Sequence, residues 1–254
     1  MLYLIRLFHK VTVGDFMKKG VFLSFDLSKL ITLCLVFVLT FSVVLSFGFA
    51  AQPTVSRVID TKNMVIIDAG HGGEDGGTQS SAGVLEKDIN LDVSIKLGTL
   101  LKLMGYSVVY TRTEDKLFYG NDATTQRQKK VSDIHYRMKI METFGNAPFI
   151  SIHQNYFKQS KYHGAQVFYS KNNSESKIIA EKIQNNIRNI LQKENERQIK
   201  ASGTDIYLLY HAKSPAVMVE CGFLSNPGEA LLLADKDYQK KICLAIAAGL
   251  EEYI

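Results

Sequence analysis

The sequence predicts an α/β fold: a single three-layer domain with a mostly parallel central sheet of about six strands flanked by helices, preceded by an N-terminal membrane or signal segment. Two observations carry this prediction. From Met64 onward, short β-rich apolar runs alternate with longer stretches of helical periodicity. Leu30 to Ala51 is a nearly unbroken apolar run unlike anything after it.

At 254 residues the chain is long enough for one or two domains, and its N-terminus takes part of that length. Residues 30–51 are interrupted only by Thr32, Thr40, Ser42, Ser46 and Gly48. These 22 residues would just span a bilayer, where about 20 are needed. Arg6, Lys10, Lys18, Lys19 and Lys29 precede them, which favours a cytoplasmic lead-in over 1–29 and an exported remainder. Two export readings stand side by side. A signal peptide would be cleaved near Gly48, Ala50 and Ala51. An uncleaved anchor is favoured by a run longer than the usual signal core of about 7–15 residues. Met17, followed by Lys18 and Lys19, makes an alternative start. Cys34 follows Leu33 inside the apolar run, so it is no lipidation site. Residues 52–63 form a polar linker.

The formal charge of the whole chain is +5. With the five basic residues above and Asp15 and Asp26 set aside, 51–254 carries 25 Lys+Arg against 23 Asp+Glu, a net of +2. That balance makes no electrostatic case for nucleic acid. Cys221 and Cys243 are the only cysteines of the exported part. Both sit in apolar surroundings and read as buried small hydrophobes, with a bridge between them as the alternative.

Strands are expected at 64–68, 107–111, 148–152, 165–169, 205–208 and 216–220. Helices are expected at about 88–104, 133–144, 174–192 and 237–253. The first helix is carried by Ile89, Val93, Leu97, Leu100, Leu101 and Met104 and stops at Gly105. The third places Ile178, Ile179, Ile183, Ile187, Ile190 and Leu191 along one side. With the last helix running to the C-terminal Ile254, no second domain or repeat array is expected.

Ligands of open α/β sheets sit outside the carboxyl ends of the strands. His71, His153 and Glu220 fall at three such ends, so one sheet edge can gather residues that lie far apart in sequence. Glu86 opens the first helix of the domain. Two imidazoles and a carboxylate can hold a zinc ion with one position open, and a second carboxylate can then act on water there. The set reads as a hydrolase centre. His71 lies among Gly70, Gly72 and Gly73, which allow a sharp turn and leave the imidazole unobstructed. A phosphate loop is excluded there, because the glycine spacing is wrong, Glu74 and Asp75 would repel phosphate, and the helix starts too late. Glu86 taken alone reads as dipole compensation at a helix start. Asn155 is a candidate to orient a ligand through a hydrogen bond. Glu220 ends an apolar strand, where a carboxylate is expensive unless paired, protonated or facing a cleft; beside a metal-held water it can act as general base. His135, His163 and His211 read as packed or solvated, with His211 able to approach the cleft. Arg127, Lys129 and Lys130, in a long loop over 114–132, are candidates for contact with an anionic substrate.

Four stretches, VIIDAGHGGEDGG (65–77), EKDINLDVSIKL (86–97), SIHQN (151–155) and AVMVECGFLSNPGE (216–229), resemble the zinc-dependent N-acetylmuramoyl-L-alanine amidases of the family-3 type. The resemblance covers Met64 to about Tyr253. It implies zinc ligands at His71, Glu86 and His153 and a catalytic glutamate at Glu220, with 64–254 as the catalytic domain. The short form with an N-terminal apolar segment further resembles the germination-specific sporulation amidases of the CwlD type. Such enzymes strip peptides from muramic acid in the spore cortex on the way to the muramic-δ-lactam needed for germination. One departure is the 114–132 segment, longer than the tight connection expected there.

The resemblance implies hydrolysis, in peptidoglycan, of the amide between N-acetylmuramic acid and L-alanine, outside the cytoplasm. A vegetative cell-wall amidase, another zinc hydrolase on the same polymer and a peptidoglycan-binding regulatory protein are the alternatives. With no wall-binding module in view, an accessory activating protein is an expected partner, beside the membrane at the N-terminal segment.

Overall fold

Strand β1 (Met64–Ala69) is buried along its whole length, as a strand covered on both faces must be. The computed structural model describes residues 26–50 and 63–254. Most of the 1–29 lead-in, residue 51 and nearly all of the 52–63 linker lie outside the described residues. The chain divides into two compact units, Met1–Val58 and Ile59–Ile254.

In the first unit, α1 (Leu27–Ala50) covers the apolar run. Its described side chains reach only to Ser42. Among the described residues no helix is long and apolar enough to cross a membrane.

The second unit continues through α2 (Glu86–Leu103), β2 (Ser107–Tyr110), α3 (Gln126–Thr143), β3 (Phe149–Asn155) and β4 (Gln166–Tyr169). It then runs through α4 (Ser174–Ile190), β5 (Lys200–Ala201), α5 (Tyr207–His211), β6 (Ala216–Phe223), α6 (Pro227–Ala234) and α7 (Lys236–Glu251). The six strands are ordered β2-β1-β3-β6-β4-β5. β2, β1, β3 and β6 are mutually parallel, whereas β4 runs antiparallel to β6 and carries β5 beside it. The short 156–165 connection explains the reversal. A parallel crossover needs about a dozen residues or more, usually with a helix.

One face of the sheet packs Val65, Ile67, Ile150, Ile152, Val217 and Val219 against α2, α4 and α7, in the larger of two apolar cores. The other face packs Ile66, Phe149 and Met218 against α3 and α5 in a smaller one. The expected three layers and mostly parallel sheet are present.

Three elements differ from expectation. The segment 205–208 is no strand; Tyr207–His211 is a short helix, and the fifth strand is Lys200–Ala201. Leu208 and Leu209 are adjacent and both buried, which a helical turn allows and an alternating strand covered on one face does not. Helix α3 begins at Gln126, because Thr125 and Gln128 form a reciprocal capping box. The departure at 114–132 is therefore in part the first turns of a helix. Helix α6 was unexpected. Asn226 caps it, and Pro227 stands in its first turn.

Candidate metal centre

His71, Glu86 and His153 each offer a donor atom, and the three atoms lie within 4.8 Å of one another. This is the one such set of ligating side chains among the described residues. β1 delivers His71, the first residue of α2 delivers Glu86, and β3 delivers His153. Glu220 stands opposite His153 in the parallel β3–β6 register, so the two side chains share a sheet face.

The backbone is shaped to admit these groups. His71 has φ 60°, the only left-handed non-glycine among the described residues, a conformation that costs about 1–2 kcal/mol. The glycines serve the neighbours more than His71 itself. A Cβ on Gly70 would lie 2.2 Å from His153 Nε2. A Cβ on Gly77 would lie 2.5 Å from Glu86 Oε2.

Two of the ligating candidates are held from behind. His71 Nδ1 lies 2.8 Å from Asp75 Oδ2, and Asp75 also pairs with Lys130 at 2.7 Å. Glu86 Oε2 accepts from Thr78 N at 2.9 Å and Glu86 Oε1 from Gln154 N at 3.1 Å. Asn90 Nδ2 donates to Glu86 Oε1 at 3.3 Å and to Gly70 O at 3.1 Å. Asn155, expected to orient a ligand, meets the structure through its backbone carbonyl, which accepts from Leu224 N. Asn90 does the orienting, one helical turn after Glu86.

Two buried arginines escaped the sequence reading. Arg137 donates to Asp68 Oδ1 at 2.5 Å, Asp133 Oδ2 at 2.6 Å and His71 O at 2.8 Å. Arg112 donates to the carbonyls of Ala69, Gly70, Lys87 and Glu114. Together they clamp the turn that carries His71. The i,i+4 pair Asp133 and Arg137 inside the apolar stripe of Ile134, Met138 and Met141 was the available signal. Lys129 pairs with Glu74 at 2.6 Å, so two of the three cations considered for an anionic substrate fasten the 72–75 turn, and Lys130 also lines the cleft beside the centre. His135 and His211 both pack against the Tyr207 ring at tilted angles, and neither joins the three converging donors.

The electrostatics favour positive charge between the carboxylates. Burial lowers the affinity of His71 for a proton, but Asp75 and Glu86 outweigh it and raise its pKa to about 9. Burial likewise opposes ionisation of Glu86, yet hydrogen bonds with His153 and His71 hold it far below the usual carboxylate range. Two histidines and an ionised carboxylate are a donor set that zinc accepts. Glu220 behaves differently. Burial, with Glu86 adding to it, pushes it up to about 7 against the pull of His153, His71 and Arg197. A carboxylate poised near neutrality suits proton transfer. Beside the centre, a cleft of about 270 Å³ opens between α3, α5 and Met218.

The family profile described as N-acetylmuramoyl-L-alanine amidase (Amidase_3) matches residues 65–252. The chain belongs to this family. The amidase is 33% identical over 190 residues to the germination-specific N-acetylmuramoyl-L-alanine amidase of Bacillus subtilis, covering 75% of this chain and 79% of that one. It is 42% identical to the CwlD amidase of Clostridioides difficile, whose structure was solved in complex with the GerS lipoprotein. That likeness has a TM-score of 0.72 and covers 75% of this chain and 98% of the other. The amidase AmiC2 of Nostoc punctiforme is 28% identical, with a TM-score of 0.64 over 76% of this chain and 97% of that one. The matched region includes all four residues of the centre.

Proposed function

We propose that this amidase is zinc-dependent, with His71, Glu86 and His153 as the metal ligands and Glu220 as the catalytic residue. The observation that carries the reading is the convergence of the three donors with a carboxylate facing His153 across the β3–β6 register. The reaction is hydrolysis of the amide between the lactyl group of N-acetylmuramic acid and L-alanine. Zinc, when bound, supplies a Lewis acid for the scissile carbonyl and lowers the pKa of water towards about 7. Glu220 takes a proton as the water oxygen attacks the carbonyl carbon. The carbon–nitrogen bond then breaks, and Glu220 returns the proton to the alanine nitrogen. The second proton of the water leaves the new carboxyl group for the amine, so a lactyl carboxylate and a protonated N-terminal amine are the products. Asp75 keeps the proton of His71 on Nδ1, so that Nε2 is the free donor.

The biological setting is read from the relatives. Likeness to a germination-specific amidase and to the CwlD amidase supports action outside the cytoplasm, in the spore cortex, on the route to muramic-δ-lactam. The apolar run 30–51 serves as signal peptide or anchor, and 64–254 as the catalytic domain. An accessory protein is the fitting partner, as the CwlD relative was solved with a lipoprotein.

The test is mass spectrometry of the products released from peptidoglycan by the full chain with zinc, with Glu220→Gln and His153→Ala alongside. Stem peptides with a free N-terminal alanine are expected from the wild type. Glu220→Gln should keep its zinc and lose about 10²–10⁴-fold in rate, and His153→Ala should lose both. Near-normal turnover by Glu220→Gln would remove the role given to it. Spores lacking the protein should contain no muramic-δ-lactam; a normal lactam content would overturn the cortex role.

A further inference from the structure

Beyond Glu220 the same sheet face carries groups that the reaction leaves unused. Gln166 stands directly opposite Glu220 in the antiparallel β4–β6 register, and opposed residues project to the same side. The Gln166 side-chain oxygen accepts a hydrogen bond from Arg197 Nη2. The Arg197 guanidinium lies 4.9 Å from the centroid of the Phe223 ring, near the end of the strand that holds Glu220. Arg197 Nε is buried without a hydrogen-bond partner, and so is Glu220 Oε2. A guanidinium has five N–H donors, and the bond to Gln166 is the only one its side chain makes among the described residues.

The loop that brings Arg197 here is fastened. Arg188 donates to Asn195 O at 2.8 Å and to Arg197 O at 3.2 Å. Asn195 donates to Ala165 O at 2.8 Å and accepts from Arg197 N at 2.9 Å. The guanidinium is therefore held in place before any ligand arrives, which lowers the entropy lost on binding. Outward from Phe223 lie Tyr162 and the half-exposed Phe157.

The opposite flank has the other character. The cleft beside His71 and His153 is lined by Asp68, Asp75, Asp133 and Asp205 against Lys130 and Arg137, with an apolar wall that includes Ile206 and Leu208. Arg137 and Lys130 are already paired with Asp68, Asp133 and Asp75 there, whereas Arg197 keeps a donor without a partner.

We propose that Arg197, seated on Phe223 and steadied by Gln166, is a specificity residue that binds a carboxylate of the leaving peptide. The peptide then lies over the β4 side, and the muramoyl part lies towards the α3–α5 cleft. A guanidinium meets a carboxylate with two parallel hydrogen bonds, which a lysine cannot reproduce. The proposal rests on the amidase reading above.

The experiment compares kcat and KM of the full chain on two soluble muropeptides, one with free stem carboxyls and one with those carboxyls amidated. The wild type should favour the free form about tenfold or more in kcat/KM, chiefly through KM. Arg197→Met should collapse that ratio towards one, Arg197→Lys should retain part of it, and Gln166→Leu should weaken it. Should Arg197→Met fail to fold, the ratio in the lysine and Gln166→Leu variants decides. A wild type indifferent to amidation, or an Arg197→Met that slows both substrates equally, would overturn the subsite while leaving the amidase reading intact. Release of peptide from neither substrate by the zinc-loaded wild type would remove both.

Discussion

Gly70 has no room for a side chain, since the His153 ring occupies the space a Cβ would take, 2.2 Å from Nε2. Gly70→Ala should therefore push the ring out of place without disturbing the core. We expect zinc affinity to fall about 10–100-fold, the range for lost support of a ligand, as read by competition with a chelator. Asp75→Ala removes the partner of His71 Nδ1 and should weaken zinc binding by a similar factor. Asp68 belongs to stability. Burial opposes its ionisation, but Arg137, Ser151 and Thr111 hold its pKa below the usual value. A depressed carboxylate contributes its stability above the unfolded pKa of about 3.9. That contribution is lost as pH falls through the lower folded value. Asp68→Asn should thus be destabilised by about 3–5 kcal/mol near neutrality, and the gap to wild type should narrow in urea titrations below about pH 4. Cys221 and Cys243 are free and buried, so the bridge left open by sequence is not formed. Burial pushes the Cys243 thiol up to about 12, which makes it a poor nucleophile.

At the scale of elements, α4 and α7 meet where a glycine lets their backbones approach. A Cβ on Gly249 would lie 2.6 Å from Ile183 Cα, and backbone cannot yield as a flexible side chain would. Gly249→Ala should cost about 1–3 kcal/mol, seen as a lower urea midpoint with activity at the centre retained. The long apolar periodicities of α2, α4 and α7 were readable in sequence because each helix buries one continuous stripe. Short elements were not. Lys200–Ala201 is too brief to show a period, and the two buried leucines of α5 look alike in strand or helix. The start of α3 was legible in Thr125 and Gln128, where local capping outweighs the apolar pattern that begins later.

Across the whole molecule, the core and the centre are separable. The two apolar clusters lie on the sheet faces, while the candidate ligands cap one edge. Chelation should abolish turnover, zinc should restore it, and far-UV circular dichroism should keep its native shape throughout. A collapse of helical signal on chelation would show that the metal also holds the fold. The sequence by itself determined the layer architecture, since alternating apolar periods leave few ways to bury every face. It also pointed to His71, His153 and Glu220, because a histidine or glutamate ending a buried strand is chemically conspicuous, whereas Glu86 at a helix start was reached only through the family resemblance. Only the tertiary structure decided what holds them. Asp75, Asn90 and Arg112 look like ordinary surface polar residues in sequence, and their roles, like that of Arg137, arise from contacts between β1, α2 and α3. The pairing of Gln166 with Glu220, and with it the place of Arg197, depends on an antiparallel strand whose partner lies some fifty residues away. Register between distant strands is set by the packing of the whole sheet, which no local pattern records.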